Sequence, residues 1–184
     1  MLHAWMLFVS GAMSVARPIG RRSFGALAVA LAIGPANADE LASPHERPLL
    51  TISGAIGVKN DGDNARFDRA MLEAMGTSSL TTKTPWYNGE QHFEGVPMRT
   101  LLRAVGASGD RITAVALNDY TTEIPVADAQ EFNVLLALKR EGAYMPVRDK
   151  GPLFIVYPYD SEERLQSQTY YGRSAWQVSR LIIR

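Results

Sequence analysis

The chain has 184 residues, of which 46% are hydrophobic and 21% are charged, and its formal net charge is zero. This composition is typical of a globular protein and excludes an intrinsically disordered one. The chain has no cysteine, which excludes disulfides, thiolate metal sites and cysteine nucleophiles.

The first predicted element is an export signal. Residues 24–33 form an apolar run after Arg21 and Arg22, and residues 36–38 have the small-x-small pattern of a signal peptidase site. We therefore predict a signal peptide over residues 1–38, cleaved after Ala38, and a periplasmic location. A membrane anchor is the less favoured alternative, because the run is shorter than the roughly 20 residues that cross a bilayer.

The charge balance of the mature chain argues against nucleic-acid binding. Three of the 19 basic residues and none of the 19 acidic residues precede Asp39, so the mature chain has a net charge of −3. Domains that bind nucleic acids usually carry a basic excess. We expect a flexible segment at residues 39–48 and one compact domain at residues 49–184.

Periodicity and capping residues predict the elements of the first half. Residues 49–56 alternate around β-branched side chains and are predicted to form a strand. Asp68 is suited to an N-cap, so a helix is predicted after it, ending near Gly76. Residues 78–84 are rich in threonine and are predicted to be extended. A second helix is predicted over residues 97–106, with Pro97 in its first turn.

The second half is predicted to be mostly β-structure. The expected strands span residues 112–117, 120–125, 134–140, 153–157 and 176–183. Short helices early and strands late predict an α+β domain with a mixed, mostly antiparallel sheet.

Several common sites are missing from the sequence. There is no Gly-x-Ser-x-Gly motif and no phosphate-binding loop of the P-loop type. The mature histidines, His45 and His92, are 47 residues apart and have no carboxylate cluster at a metal-ligating spacing. We therefore expect no protein-ligated metal.

Five segments, taken in order, resemble one protein family. They are Phe-Glu-Gly-Val-Pro-Met-Arg-Thr-Leu-Leu at 93–102, Asn-Asp-Tyr-Thr-Thr-Glu-Ile-Pro at 118–125, Val-Leu-Leu-Ala at 134–137, Gly-Pro-Leu-Phe-Ile-Val-Tyr-Pro at 151–158, and Trp176 before the last strand. Their order and spacing are similar to those of the molybdopterin-binding domain of sulfite-oxidase-type oxidoreductases. The resemblance covers about residues 49–184. It implies the α+β fold of that family and molybdopterin as the candidate cofactor.

The chain departs from this family at the residues that carry its chemistry. The resemblance places Thr82 where the family has the cysteine that ligates molybdenum, and a neutral hydroxyl does not replace a soft thiolate ligand. Asp149 and Phe154 stand where the family often has a histidine and an arginine that help to hold the cofactor. The resemblance therefore implies a standalone, cysteine-free branch, whose status as an enzyme the sequence leaves open.

Six residues are candidates for cofactor or ligand binding. Two cations precede a Gly-Pro turn, where they can bind a phosphate or another anion. Two residues follow the end of an apolar strand, a common position for binding residues. One tryptophan can stack on a planar ligand, and the threonine is the one at the cysteine position. The two cations are Arg148 and Lys150, the residues after the strand are Asn118 and Tyr120, the tryptophan is Trp86, and the threonine is Thr82.

Each candidate also has a structural alternative, such as a solvated loop for the cations, a turn for Asn118 and packing for Trp86. Trp176 is expected to lie in the core.

Two functions follow from these observations. The first is a periplasmic domain that binds a pterin-type or other small anionic ligand without a protein thiolate ligand to the metal. The second is a non-catalytic binding or sensory module that works with a membrane redox or signalling protein. The sequence does not identify the ligand.

Overall fold

The computed structural model describes residues 41–184, and the predicted signal peptide lies outside them. The segment before the first strand is hydrogen-bonded to the domain. The backbone amides of His45 and Glu46 donate to Asp68 Oδ2 at 2.8 and 3.1 Å, and Asn60 Nδ2 donates to the Ala42 carbonyl at 2.7 Å. The flexibility of residues 39–48 stays a prediction.

The described residues form ten strands and four short α-helices. The strands are β1 (Leu50–Gly54), β2 (Ala65–Phe67), β3 (Ser78–Thr84), β4 (Tyr87–Pro97), β5 (Arg111–Ala116), β6 (Thr121–Pro125), β7 (Leu135–Arg140), β8 (Ala143–Tyr144), β9 (Phe154–Val156) and β10 (Val178–Ile183). The helices are α1 (Arg69–Ala74), α2 (Met98–Ala104), α3 (Val126–Glu131) and α4 (Gln168–Arg173). Single-turn 3-10 helices occur at Val147–Asp149, Tyr159–Ser161 and Glu163–Leu165. None of the helices in residues 41–184 is long and apolar enough to cross a bilayer.

The strands form two sheets. The first has the order β2-β1-β10-β5-β6, and the second has the order β3-β4-β7-β8, with β9 also paired to β7. Only β1 and β10 pair in parallel, and the other pairs are antiparallel. The predicted α+β fold with a mixed, mostly antiparallel architecture is confirmed, although the strands divide into two sheets.

The α1 helix begins where the sequence predicts it. Asp68 is its N-cap, and Asp68 Oδ1 accepts a hydrogen bond from the Met71 amide at 2.9 Å. The other carboxylate oxygen accepts the amides of His45 and Glu46, so one buried side chain satisfies three backbone donors. These bonds, led by that from Met71, lower the pKa of Asp68.

One hydrophobic cluster is shared by both sheets and the helices. Leu50, Ile52 and Leu181 contribute to it from the first sheet, and Phe93 and Leu136 contribute from the second. Where β4 crosses β7, a Cβ at Gly95 would collide with the Leu136 carbonyl oxygen. Gly95 is therefore needed for the close approach of these two strands.

Candidate functional site

A cavity of about 300 Å³ lies where the end of β5, the β5–β6 turn, α4 and the segment before β10 meet. Its lining combines four aromatic side chains with two amides, one serine hydroxyl and two small residues. The aromatic side chains are Trp86, Tyr120, Tyr171 and Trp176, the amides are Asn118 and Gln168, the hydroxyl is that of Ser174, and the small residues are Ala116 and Gly172. Three of the six candidates from the sequence, Trp86, Asn118 and Tyr120, are therefore brought together here.

The aromatic walls of the cavity are fixed by edge-to-face packing. Trp86 lies in the β3–β4 turn, and its ring centroid is 5.4 Å from that of Trp176 and 6.0 Å from that of Tyr171. The buried Phe154 ring packs at 5.5 Å from Trp86 and 6.3 Å from Trp176. Such contacts hold the rings in place, so a planar ligand meets walls that are already formed.

Trp176 differs from the expectation of a core residue. It is half-buried, its backbone forms a bridge to Phe154, and its ring lines the cavity. The same side chain thus packs on the core and forms part of the site.

The polar part of the cavity comes from the β5–β6 turn. Asn118 Oδ1 accepts the Tyr120 amide at 3.2 Å, while Asn118 Nδ2 has no hydrogen-bond partner among residues 41–184. The Tyr120 hydroxyl donates to the Gly172 carbonyl at 3.4 Å, which brings its side chain across to α4. Asn118 therefore has a free donor at the cavity, and Tyr120 closes one side.

The α4 wall is held by a buried ion pair. Arg173 Nη1 donates to Asp128 Oδ2 at 2.8 Å, and the Tyr157 hydroxyl donates to the same oxygen at 2.7 Å. Burial raises the pKa of Tyr157, so it remains a neutral donor. Thr122 Oγ1 also donates to the Gly172 carbonyl at 2.8 Å. Arg173 is paired and is not free to bind an anion.

The two predicted cations have different surroundings. Lys150 Nζ lies 4.8 Å from the ring centroid of Trp176 and 5.2 Å from that of Tyr87. Its ammonium group is thus next to an aromatic wall of the cavity. Arg148 is exposed, does not line the cavity, and makes no ion pair or side-chain hydrogen bond within the described part of the chain.

Asp149, which the resemblance places at the family's histidine position, has a structural role in the turn before Gly151. It accepts the Tyr87 hydroxyl at 2.7 Å and Arg140 Nη2 at 2.8 Å. These two partners, first Tyr87 and then Arg140, lower the pKa of Asp149. The carboxylate thereby fixes Lys150, its chain neighbour, beside the cavity.

Thr82, which the resemblance places at the family's cysteine position, lies away from the cavity lining. Its side chain is buried, and Oγ1 donates to the Lys83 carbonyl and accepts the Asp160 amide, both at 3.2 Å. The hydroxyl therefore connects β3 to the turn at Asp160 and has both donor and acceptor functions satisfied.

The site residues fit an organic ring better than a metal centre. In the family that the sequence resembles, a soft thiolate ligates molybdenum, and neither the sequence nor the satisfied hydroxyl of Thr82 supplies one. Residues 41–184 also contain no group of three or more His, Asp or Glu side chains placed to hold a metal ion. The tryptophan walls, the Asn118 amide and the adjacent ammonium group, however, suit a flat ligand with polar edges.

The comparison with known proteins agrees with this architecture. The family model described as oxidoreductase molybdopterin binding domain matches residues 65–160, which is just over half of the chain. The match includes Trp86, Asn118, Tyr120 and Lys150, whereas α4 lies beyond it. The chain matches none of the curated proteins. The extent of the family match, together with the fold, shows that the chain belongs to the oxidoreductase molybdopterin-binding domain family, as a member without cysteine.

Proposed function

We propose that this protein is an exported, periplasmic domain that binds a pterin-type ring, or another planar ligand with an anionic group, without a protein ligand to a metal. One observation carries the proposal: Trp86 and Trp176 form fixed walls of a cavity that also exposes the Asn118 amide and borders the Lys150 ammonium group.

The chemistry of the lining supports this class of ligand. Aromatic walls contact the faces of a flat ring, and Asn118 Nδ2 supplies a donor to an acceptor on its edge. Lys150 supplies a positive charge for a carboxylate or phosphate. The volume of about 300 Å³ is at the small end of the range for ligand sites, which favours one bicyclic ring over a large cofactor.

The proposal includes binding but no redox step. Catalysis by the family's cofactor depends on a metal held by the protein thiolate, and this chain has a buried, fully bonded threonine at that position. We therefore propose that the cavity residues contact the ligand, orient it and neutralise its charge, and that they have no further role.

A second candidate function is a sensory module that works with a membrane redox or signalling protein. The observation that favours it is the way α4 is attached. This helix forms one wall of the cavity and is held through the Arg173–Asp128 pair and the bond from Thr122. A ligand that contacts Tyr171 and Gly172 would therefore act directly on this helix, which joins the cavity to Asp128 of α3 and to Thr122 of β6. A neighbouring gene for a sensor kinase or cyclase would favour this function, and one for a cytochrome-like membrane subunit would favour redox work.

The binding proposal is tested with protein purified from the exported fraction. Its molybdenum and pterin contents are measured first, and pterin-6-carboxylate is then titrated while the pterin fluorescence is recorded. We expect no molybdenum in excess of the pterin content, and saturable binding. Asn118→Ala and Lys150→Gln should weaken the binding, whereas Arg148→Gln removes an equivalent charge outside the cavity and should not.

Two results would contradict the proposal. One is stoichiometric molybdenum without pterin in the purified protein, because metal that is not carried by a pterin would need ligands from the protein itself. The other is the absence of saturable binding by a folded protein. Thermal unfolding of each variant shows whether a loss of binding reflects the site or a loss of structure.

A further inference from the structure

Exposed apolar side chains are concentrated around the mouth of the cavity. Four large hydrophobic side chains among residues 41–184 are 43–52% exposed, and three of them, Leu117, Tyr120 and Val147, lie on the two turns beside the cavity. The fourth, Tyr144, is covered by the Arg69 guanidinium, which lies 4.2 Å from its ring centroid. The cavity mouth thus has the main exposed apolar surface of the described domain.

The two turns are joined to each other by Gln177. The Leu117 amide donates to the Gln177 carbonyl at 2.9 Å, and Gln177 Nε2 donates to the Val147 carbonyl at 2.7 Å. The Gln177 amide donates to the Lys150 carbonyl at 3.0 Å. We call the surface formed by Leu117, Tyr120, Val147, Arg148, Lys150 and Arg180 the rim.

Backbone strain is concentrated in the same place. Four non-glycine residues in the described part of the chain have positive φ angles, and three of them belong to the rim or contact it. They are Asp119 at 61°, Lys150 at 64° and Gln177 at 55°. L-residues adopt this conformation at an energetic cost, and such residues cluster at functional sites. The shape of the rim is therefore maintained against a local conformational preference.

The rim is basic, although the mature chain is predicted to be slightly acidic. Arg148 has no ion-pair partner in residues 41–184, and Lys150 contacts aromatic rings. Arg180 lies 3.7 Å from the exposed carboxylate of Asp119. Asp149 is turned to Tyr87 and Arg140. Three cations thus lie around the apolar side chains, with one exposed carboxylate, that of Asp119, which pairs with Arg180.

We propose that the rim docks the protein on an anionic phospholipid surface. A stable protein–protein interface uses about 20–30 residues on each side, which is many more than the rim provides. Peripheral binding to lipid needs only a few inserted apolar side chains with cations beside them, because the headgroups present negative charge without a fixed shape. The docking does not require a bound ligand, although Tyr120 and Lys150 belong to both the rim and the site, and it would place the cavity mouth at the membrane surface.

A dye attached at the rim tests the proposal locally. Because the chain has no cysteine, Leu117→Cys accepts a single nitrobenzoxadiazole label in the full-length protein, and Asp63→Cys, at a side chain that is 98% exposed elsewhere, is the control. With vesicles of phosphatidylglycerol and phosphatidylethanolamine, the label at position 117 should brighten and shift to the blue. The label at position 63 should not change, and neither label should respond to phosphatidylcholine vesicles. If the signal peptide alone binds the vesicles, the label at position 117 stays in water and its fluorescence does not change. That result would overturn the proposal.

Vesicle sedimentation of matched variants completes the test. Leu117→Ser/Val147→Ser should lower the partition coefficient by about tenfold or more, since each substitution removes apolar surface that docking would bury in the bilayer. Arg148→Gln/Arg180→Gln should lower it by about tenfold. Arg99→Gln/Arg103→Gln removes two exposed cations from α2 and should have little effect. Equal partitioning of all these variants, or no binding of the parent protein to anionic vesicles, would overturn the proposal.

Discussion

The buried ion pair that holds α4 gives the most quantitative prediction. In Arg173→Met, the Asp128 carboxylate, whose side chain is 8% exposed, loses the guanidinium at 2.8 Å and keeps only the Tyr157 hydroxyl at 2.7 Å. Removing one partner of a fully buried pair costs about 3–5 kcal/mol. The remaining hydrogen bond and the 24% exposure of Arg173 reduce the expected cost to about 2–3 kcal/mol. For a domain of this size, that lowers the Tm by roughly 5–10 °C.

Urea unfolding followed by circular dichroism measures this cost. In Asp128→Asn/Arg173→Met the buried charge is gone, so the double variant should recover part of the stability lost in Arg173→Met. Arg164→Met, which removes two exposed pairs, with Glu131 and with Glu162, should lower the midpoint much less. A loss below about 1 kcal/mol in Arg173→Met, or the same loss in both variants that lack Arg173, would refute this account of α4.

Three further predictions concern other parts of the chain. Asp68→Asn should destabilise the domain by about 1–2 kcal/mol at neutral pH, because the amide NH2 group that replaces one carboxylate oxygen cannot accept the backbone amides of His45 and Glu46. The folded-state pKa of Asp68 lies below its usual value of 3.8. The stability that the Asp68 carboxylate contributes is therefore present above that pH and is lost as the pH falls through the folded pKa. Identical acid unfolding profiles of the parent protein and the variant would contradict this. Gly95→Ala should cost about 1–3 kcal/mol or more, because the new methyl group collides with the Leu136 carbonyl, and an unchanged unfolding midpoint would exclude that contact. Intact-mass measurement of the exported protein should give a chain that begins at Asp39, and any larger mass counts against cleavage after Ala38.

The sequence predicts those elements whose signals are local. The Asp68 cap predicts α1, and the strands predicted from the sequence match β1, β5, β6, β7, β9 and β10 to within two residues at either end. The strand β4 is not predicted; its first four residues, Tyr87–Glu90, are polar and mostly exposed. The helices α3 and α4 are only six residues long, and α4 has no apolar periodicity. Tertiary contacts such as the Arg173–Asp128 pair hold it instead.

The candidate site is predicted only in part, because distant segments form it. Trp86, Asn118 and Tyr120 line the cavity, and Lys150 lies beside the wall made by Trp176. Arg148 and Thr82 do not line it. The sequence analysis does not select Gln168, Tyr171 and Ser174, since only the pairing of β5 with β10 and the position of α4 bring them near the β5–β6 turn. For the wall formed by Trp176, the sequence offers one indication, which is the place of this residue in the family resemblance.

The two tryptophans of residues 39–184, Trp86 and Trp176, both line the cavity. Their indole Nε1–H signals in a ¹⁵N–¹H NMR spectrum of the mature protein therefore report on the cavity alone. On titration with pterin-6-carboxylate, our account predicts that both signals shift and saturate with the same Kd, and that Lys150→Gln raises this Kd. Indole signals that stay in place at every concentration, in a protein whose other amides show it to be folded, would contradict it.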